Sequence, residues 1–572
     1  MDSYFSKLVL IEKDFQYNQL SFMKQILLFL AILALTACKD QKTNENTKKS
    51  VKNDTITAVK ERDYKVLDSK EIDVDSLWAP FNKALGEFSD SDYDQVKPLV
   101  FEKNIPEIQT AVQNGKLTYE KLVLFYLHRI QKYDRENDLS LNSVIALNPN
   151  VLEEAQKMDK NRSKSVEKYS IFGMPVLLKD NINASGMPTT AGSVVFEDNN
   201  ADDSFIVRRL KENSALILGK ANLSEWAYFF CGDCPSGYSA VGGQTLNPYG
   251  RKIHDTGGSS SGSGVSMAAN FAVAAVGTET SGSILSPSSS NSVVGLKPTI
   301  GLLSRNGIVP ISSTLDTPGP MTRNVVDNAI MLNALLGVDI KDSASAKMNA
   351  KSTDFSAKIA EIKDVKTFLK DKRLGYYKEY MQEDTLYNQA ISTLKNAGAT
   401  LIALDRSDLD LPEFTRVLNL DMKKDLPDYI ANYGDKNLKV KNLEQIVAFN
   451  KNDSSRTMPY GQKLFYGVLK DSASKEEFIK IKDTLQMLGR QFFDEAISSN
   501  NLYAVLSINN YMAGYAAVAK YPALTVPMGY TKENQPMGLT FIASGGSEAQ
   551  LLQLGYAYEQ ISAKRKTPAD YQ

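Results

Sequence analysis

The stretch from residue 255 to residue 299 decides the predicted fold: DTGGSSSGSGVSMAANFAVAAVGTETSGSILSPSSSNSVVGLKPT. Twelve serines and seven glycines share it with a continuous apolar run. Small residues at 262–270 predict a short, closely packed helix, and FAVAAV at 271–276 predicts a strand buried on both faces. A helix of about ten residues spans roughly 15 Å and six strand residues about 20 Å, so this hairpin returns to its starting edge. We therefore expect Ser259 to lie near residues 278–283.

The turn after the predicted strand is suited to bind an oxyanion. Gly277 and Gly282 permit a tight turn whose successive amide N–H groups point inward, and such groups form an anion-binding nest. Ser283 lies at the end of this turn. Open α/β sheets bind ligands at the carboxyl edge of their strands. Because the apolar run and the LKP at 296–298 indicate burial, the pattern favours an active-site core over a flexible Ser/Gly linker.

Four blocks of the sequence resemble the amidase signature family. GGSSSGS at 257–263, GTETSGS at 277–283 and VVGLKPT at 293–299 follow the family's order, and GMPVLLKDNI at 173–182 resembles its lysine segment. The resemblance implies an α/β fold: one large domain with a mixed, twisted central sheet covered by helices on both faces. It is closest to the peptide-amidase-like branch of the family.

The resemblance also implies a Ser–Ser–Lys triad. Residue by residue, the nucleophile falls on Ser283, the bridging serine, which follows a cis peptide bond, on Ser259, and the base on Lys179. Ser283 would attack an amide carbonyl while its proton passes through Ser259 to Lys179. The implied substrate is a small-molecule or peptide amide, and neither a cofactor nor a metal is expected. The expected oxyanion hole consists of the backbone N–H groups of Thr280, Ser281, Gly282 and Ser283.

A lysine base has to lose its charge. With an ordinary pKa of about 10.4, a lysine at pH 7 is neutral roughly once in 2,500, a deficit of about 4–5 kcal/mol. Burial disfavours the ammonium form, and hydroxyl groups can hold the neutral amine. The apolar residues 171–178 predict a strand that leads into Lys179, and we expect Asp180, Asn181 and Asn183 to be its hydrogen-bonding partners.

Other nucleophiles are conceivable from the sequence. GSSSG at 258–262 matches the nucleophile elbow of α/β-hydrolases and would select Ser260, but that class needs a histidine after the serine. No histidine follows His254. A triad through His254 and Asp255 in another chain order stays open. Two Ser-x-x-Lys pairs lie in polar stretches without the partner motifs of that class: Ser165 with Lys168, and Ser472 with Lys475.

Two positions near the predicted nucleophile depart from the commonest family pattern. Ser281 replaces a frequent glycine, and Leu285 stands where many members have arginine. Both departures resemble the peptide-amidase branch more than the glutamine-using amidotransferase subunit of tRNA-dependent synthesis. Two other functions stay open: an esterase that uses the same triad, and a non-catalytic binding lipoprotein of the envelope.

The N-terminal region contains a targeting signal. MKQILLFLAILALTAC at 23–38 has a lysine, a short apolar core and small residues before Cys38, and its LTAC resembles a bacterial lipobox. The resemblance implies lipidation of Cys38 and a lipid-anchored protein of the bacterial cell envelope, periplasmic or surface-exposed. A plain membrane anchor or secretory peptide is the alternative. The predicted segments are a leader before the true start at 1–22, a signal peptide at 23–37 and a disordered tether at 38–62.

The rest of the chain is predicted to build one catalytic domain. With 572 residues, 42% of them hydrophobic, the chain is long enough for a large α/β domain. Its net charge of −1 lacks the excess of positive charge that is typical of nucleic-acid-binding proteins. We predict an extension at 63–99 and the catalytic domain at 100–572, in which 340–500 form the variable, largely helical wall of the substrate cleft. Two amphipathic helices joined at 114–115 are predicted within 105–133. Further predicted elements are strands at 214–220, 521–529 and 536–541 and a helix at 548–560.

Two cysteines, Cys231 and Cys234, have a spacing typical of metal or redox sites. Two thiols alone do not close a zinc site, and the chain has only two histidines to add. In an oxidising envelope compartment a local disulfide is expected, with two free thiols as the alternative.

Overall fold

The computed structural model describes residues 61–135, 137–160, 166–347, 353–407 and 409–572. The predictions for Cys38, for the leader and for the signal peptide lie outside these ranges, as does nearly all of the predicted tether. Lys60–Gln572 forms one compact unit. Within the described ranges, no helix has the length and apolar character needed to cross a membrane.

A mixed sheet of eleven strands forms the centre of the described chain. The strand order is β1-β3-β2-β6-β8-β7-β12-β13-β11-β9-β10, and β4 pairs with β5 separately. β2 runs parallel to β3 and β6, and β9 runs parallel to β10 and β11, whereas the other neighbours are antiparallel. The predicted α/β fold with a large mixed sheet flanked by helices is confirmed. The strands are β1 Val144–Leu147, β2 Pro175–Lys179, β3 Leu216–Ala221, β4 Tyr238–Ser239, β5 Gly243–Gln244, β6 Ala274–Glu279, β7 Val294–Lys297, β8 Thr317–Thr322, β9 Arg373–Tyr377, β10 Thr400–Leu404, β11 Ala504–Ile508, β12 Ala523–Tyr530 and β13 Pro536–Ile542.

α-Helices occur before, between and after the strands in the described chain. The α-helices are α1 Val74–Trp78, α2 Asn82–Glu87, α3 Asp90–Val100, α4 Ile105–Gln113, α5 Tyr119–Tyr133, α6 Val151–Lys160, α7 Phe205–Glu212, α8 Ser261–Ala268, α9 Leu285–Ser290, α10 Val325–Leu335, α11 Phe355–Ala360, α12 Val365–Lys370, α13 Lys378–Glu383, α14 Thr385–Asn396, α15 Phe414–Tyr433, α16 Leu443–Asn452, α17 Ser454–Thr457, α18 Lys463–Lys470, α19 Lys475–Asn500, α20 Ala513–Ala519 and α21 Glu548–Ser562.

The predicted helix–strand hairpin is present as α8 and β6, but the strand boundary was wrong. The prediction began the strand at residue 271, whereas β6 begins at Ala274 and extends through Glu279. Residues 271–273 instead form the turn after α8, where Asn270 has a φ of 58°. The strand is longer at its carboxyl end because its last residues pair with β8, with Glu279 opposite Thr317.

The two predicted N-terminal helices are confirmed as α4 and α5. The Thr118 side chain accepts a hydrogen bond from the Lys121 N–H and caps α5. The strand that leads into Lys179 is shorter than predicted, because Gly173 has a φ of 70° and turns the chain before β2 begins at Pro175.

The region predicted to be a helical wall also contributes to the sheet. β9 and β10 lie within it, and β9 pairs in parallel with β11, which follows more than a hundred residues later in the chain. Several of its helices, α15, α16 and α18 among them, instead surround a second apolar cluster that includes Trp226 and Phe465. This region therefore contributes both a sheet edge and helices around the second apolar cluster, and its role as a cleft wall stays a prediction.

Candidate active site

Lys179 is the last residue of β2, and its side chain is fully buried. β2 and β6 are parallel neighbours with Leu178 opposite Val276, so Lys179 lies at the same sheet edge as Thr278. Its Nζ donates to Ser259 Oγ at 2.8 Å and to Thr278 Oγ1 at 2.9 Å. The Thr278 carbonyl oxygen lies 3.2 Å from the same nitrogen. All of these partners are neutral groups.

The surroundings of Lys179 favour the uncharged amine. Burial lowers the pKa of Lys179 from its ordinary value of 10.5 to about 7, and the carboxylates of Asp316 and Glu279 oppose this change only in part. A shift of this size corresponds to about 5 kcal/mol in favour of the neutral form. Near neutral pH, a large fraction of the molecules therefore carry a Lys179 amine that can accept a proton.

The predicted hydrogen-bonding partners of Lys179 were wrong: Asp180, Asn181 and Asn183. Asp180 forms a buried ion pair with Lys220 at 3.0 Å. Asn181 Nδ2 donates to Thr278 Oγ1 at 3.0 Å, and Asn183 Nδ2 donates to a main-chain carbonyl at the end of α15. The chain turns directly after the strand, where the Ile182 N–H donates to the Lys179 carbonyl at 2.9 Å, so the following side chains diverge.

Ser259 precedes α8 and is fully buried. The peptide bond between Gly258 and Ser259 is cis, as the family resemblance implied. The Ser259 carbonyl accepts a hydrogen bond from the Ser224 N–H at 3.0 Å. This contact anchors the main chain of Ser259 while its hydroxyl faces Lys179.

Ser260 connects the Ser259 loop to both neighbouring segments. Its N–H donates to the Ser283 carbonyl at 3.1 Å. Its hydroxyl donates to the Thr278 carbonyl at 3.1 Å and accepts from the Thr278 N–H at 3.2 Å. The Ser260 hydroxyl is thus occupied by strand main chain, which argues against the elbow assignment. The hydrogen bond from the Ser260 N–H to the Ser283 carbonyl also places Ser283 next to the residue that follows Ser259.

Ser283 is 9% exposed and lies at the end of a glycine turn. Gly282 has a φ of 87° in this turn. The Glu279 carboxylate accepts hydrogen bonds from the N–H groups of Ile284 at 2.8 Å and Leu285 at 3.0 Å, and so closes the loop around Ser283. Within the described chain, four successive N–H groups of the loop donate no hydrogen bond: Thr280, Ser281, Gly282 and Ser283. They remain available to an oxyanion.

Two residues of this site were not predicted. Thr278 contacts the Lys179 amine through both its hydroxyl and its carbonyl. Asp316 accepts a hydrogen bond from the Thr280 hydroxyl at 2.6 Å, and burial raises its pKa to about 6. Thr278 lies in a block quoted for the family resemblance, but a motif does not reveal which of its side chains face each other.

A cavity of about 260 Å³ lies beside Thr278, whose hydroxyl contacts the Lys179 amine. Its wall includes Thr278, Thr280 and Asp316 on one side and Tyr429 of α15 on the other. Lys179, Ser259 and Ser283 do not line it. The cavity therefore adjoins the loop that carries the free N–H groups without covering the predicted nucleophile.

The remaining predicted site residues have partners other than Lys179, Ser259 and Ser283. Cys231 and Cys234 form a disulfide with a Cα–Cα distance of 5.8 Å. The ring nitrogen Nε2 of His254 lies 2.9 Å from the Glu533 carbonyl oxygen, and Asp255 pairs with Arg62, so the two do not bond to each other.

The Ser-x-x-Lys alternatives and a metal site find no support in the described ranges. Lys168, Ser472 and Lys475 are exposed, and Ser165 lies outside the described residues. Among the residues that the structure describes, no group of three or more His, Cys, Asp or Glu side chains is arranged to hold a metal ion.

Comparisons with known proteins find similar sequences and similar folds. The family model "Amidase" matches residues 121–552. The chain is similar to the crystal structure of an amidase family protein from Bacillus anthracis str. Ames, with 39% identity, a TM-score of 0.83 and coverage of 89% of this chain and 99% of that one. It is similar to the native peptide amidase from Stenotrophomonas maltophilia, with 37% identity, a TM-score of 0.77 and coverage of 82% and 98%. A probable amidase of Arabidopsis thaliana is 34% identical over 485 residues, which cover 82% of this chain and 91% of that protein.

Proposed function

The chain belongs to the Amidase family and is an enzyme that hydrolyses amide bonds, and we propose that Ser283, Ser259 and Lys179 perform this hydrolysis as nucleophile, proton bridge and base. One observation carries the assignment. The buried Lys179 amine, with its pKa lowered to about 7, lies 2.8 Å from Ser259 Oγ, and no carboxylate hydrogen bonds to it in the described chain. A neutral amine next to a serine hydroxyl is the activated arrangement that a serine nucleophile requires.

In the acylation step, Ser283 Oγ forms a bond to the substrate carbonyl carbon. The Ser283 proton passes to Ser259 as the Ser259 proton passes to Lys179 Nζ. The negative charge that develops on the carbonyl oxygen is stabilised by the free N–H groups of residues 280–283. The Lys179 proton then returns through Ser259 to the amide nitrogen, so the C–N bond breaks and a neutral amine leaves.

In the deacylation step, water replaces the amine. The same relay removes a proton from the water as its oxygen attacks the acyl carbon. The bond between Ser283 Oγ and the acyl group breaks, Ser283 regains its proton and a carboxylic acid is released. Every proton is returned, so the cycle needs no cofactor.

We propose peptide amides as the substrate class to test first. The likeness to the Stenotrophomonas maltophilia peptide amidase supports this choice. Ser281, at the position that departs from the common glycine, has a partly exposed side chain beside the free N–H groups. It is therefore placed to contact the acyl part of a bound substrate.

A fluorophosphonate probe and matched substrates test the assignment. We expect Ser283→Ala to abolish labelling and hydrolysis of a dipeptide amide. Ser286→Ala should keep both, because in the described chain the Ser286 side chain makes no hydrogen bond. Labelling of Ser283→Ala at the wild-type level would reject Ser283 as nucleophile. Turnover of the matched dipeptide methyl ester but not of the amide would replace the amidase proposal with an esterase.

We also propose that Cys38 is lipidated and anchors the chain to a bacterial envelope membrane. The lysine, the short apolar core and the lipobox-like LTAC within residues 23–38 support this step. Metabolic labelling with an alkyne fatty acid should label the wild type and leave Cys38→Ala unlabelled and released from the membrane fraction. Equal labelling of both forms would contradict it.

A further inference from the structure

A second cavity, of about 430 Å³, lies between residues 313–315, residues 343–347 and the helices α19 and α20. Three lysines line it: Lys347, Lys482 and Lys520. They come from the 343–347 segment, from α19 and from the end of α20, so only the tertiary fold brings them together at one cavity. Neither the family motifs nor the triad uses any of these residues.

The positive charge in this cavity is not balanced by the described protein. Among the described residues, none of the three lysines forms an ion pair with a carboxylate, and Lys482 Nζ lies 4.2 Å from the centre of the Phe478 ring. The one acidic side chain in the lining, Asp483, is exposed and forms no ion pair either. Arg305 nearby is different, because its guanidinium is paired with the Asp342 carboxylate. The lysines of this cavity therefore lack the carboxylate partner that Arg305 has.

The pKa of Lys520 is consistent with this excess of charge. Burial lowers the pKa of Lys520, and the like charges of Arg305, Arg490, Lys482 and Lys347 lower it further. Repulsion of this kind destabilises the folded protein when the cavity is empty. A local arrangement that reduces stability is more often found at functional sites than elsewhere.

The inner surface of the cavity is apolar. Val417, Leu485 and Val518 line it and are each 2% exposed or less. A cavity with an apolar floor and converging polar groups is the usual form of a small-molecule site. An inorganic ion would leave this floor uncovered, whereas a ligand with an apolar part would cover it.

We propose that this cavity binds an organic anion, with a carboxylate or phosphate group among Lys347, Lys482 and Lys520 and an apolar group against Val417, Leu485 and Val518. Each charge-assisted hydrogen bond from an ammonium to such an oxyanion is stronger than a neutral one. The ligand relieves the repulsion among the lysines as it binds. The test of this site does not depend on the proposed triad, because ligand binding requires no bond cleavage.

Calorimetric titration of the full chain tests the site with octyl phosphate, octanoate, inorganic phosphate and uncharged octanol. We expect saturable binding of octyl phosphate or octanoate at one site per chain, and weaker binding of inorganic phosphate and of octanol. Tighter binding of octyl phosphate than of octanoate assigns a phosphate-bearing ligand, and the reverse order assigns a carboxylate. The proposal fails if neither amphiphilic anion saturates the wild type, or if octanol binds as tightly as they do.

The double variant Lys482→Gln/Lys520→Gln should bind the anion at least 10-fold more weakly. Lys439→Gln/Lys441→Gln removes the same charge from exposed positions outside the cavity and should bind like the wild type. Equal affinity of both double variants would overturn the proposal.

Melting temperatures give a second readout that does not depend on calorimetry. Without ligand, Lys482→Gln/Lys520→Gln should melt at the wild-type temperature or above it, because like-charge repulsion is removed. Octanoate or octyl phosphate should raise the melting temperature of the wild type only. If the double variant does not fold, the exposed single substitution Lys347→Gln should still weaken binding by about 3-fold, and unchanged binding in that variant would count against the site.

Discussion

Two buried lysines at the ends of neighbouring strands show how the partner of an amine decides its role. Lys179 ends β2 and Lys220 lies one residue before the end of β3, and both side chains are fully buried. Leu178 is opposite Lys220 in the parallel register and Lys179 is opposite Ala221, so the two lysines point to opposite faces of the sheet. Lys179 meets hydroxyl groups, whereas Lys220 meets the Asp180 carboxylate at 3.0 Å.

The difference is one of charge compensation. Burial lowers the pKa of both lysines, but only around Lys220 does a directly bonded carboxylate oppose this effect. A hydroxyl group can accept from or donate to an amine, so it tolerates the neutral form that a general base requires. Under the proposed assignment of Lys179 as the base, burial alone is not enough, because a directly bonded carboxylate must also be absent.

The largest effect is expected from removing the proposed base, Lys179. In Lys179→Met, kcat/KM for a dipeptide amide should fall on the order of 10³-fold, since a positioned base typically contributes about 10²–10⁴. The fold should be retained, because an apolar side chain replaces an amine that is already desolvated. Steady-state kinetics and circular dichroism measure the two quantities. Wild-type activity in a folded Lys179→Met protein would show that the base lies elsewhere.

The matched substitution on the other face should affect stability instead. Lys220→Met leaves the buried Asp180 carboxylate without its cation, which typically costs about 3–5 kcal/mol. Urea unfolding should show this loss, while the folded fraction keeps kcat/KM within about 10-fold of the wild type. If Lys220→Met were as stable as the wild type but inactive, the two lysines would have to share the catalytic role.

A smaller effect is expected on the pH profile. The neutral Lys179 amine is the active form, so kcat/KM should rise with pH through an apparent pKa of about 7 and fall below it as the amine gains a proton. The Asp316 carboxylate favours the ammonium form, so Asp316→Asn should move this rise to lower pH. Asp425→Asn, in the wall of the same cavity, should leave the rise in place. A rise that stays fixed or moves to higher pH in Asp316→Asn would contradict the assignment of Lys179.

The motifs predicted which segments come together better than which side chains contact each other. The fold brings Lys179 Nζ to 2.8 Å from Ser259 Oγ and joins the Ser260 N–H to the Ser283 carbonyl at 3.1 Å, while the role of each of these residues stays a prediction. The predicted partners of Lys179 failed, because the direction of Asp180 and Asn181 depends on the turn after β2. Thr278 was missed for a related reason: the predicted strand ended at residue 276, before this residue.

The sheet itself was also only partly predictable. β12 and β13 have long apolar runs and lie where they were expected. β9 and β10 were missed because each is five residues long and the β10 side chains are largely exposed or half-buried. Their assignment depends on pairing with β11, a contact far along the chain that no local pattern encodes.

The sequence by itself determined the family, the kind of fold and the identity of the residues proposed to react, because these follow from local motifs and from the periodicity of apolar side chains. Only the tertiary structure decided the surroundings that lower the pKa of Lys179. The pKa of Lys179 depends on how completely distant segments exclude water from its amine and on where they put Asp316 and Glu279. The same holds for the lysines of the second cavity, whose charges come together from α19, the end of α20 and the 343–347 segment.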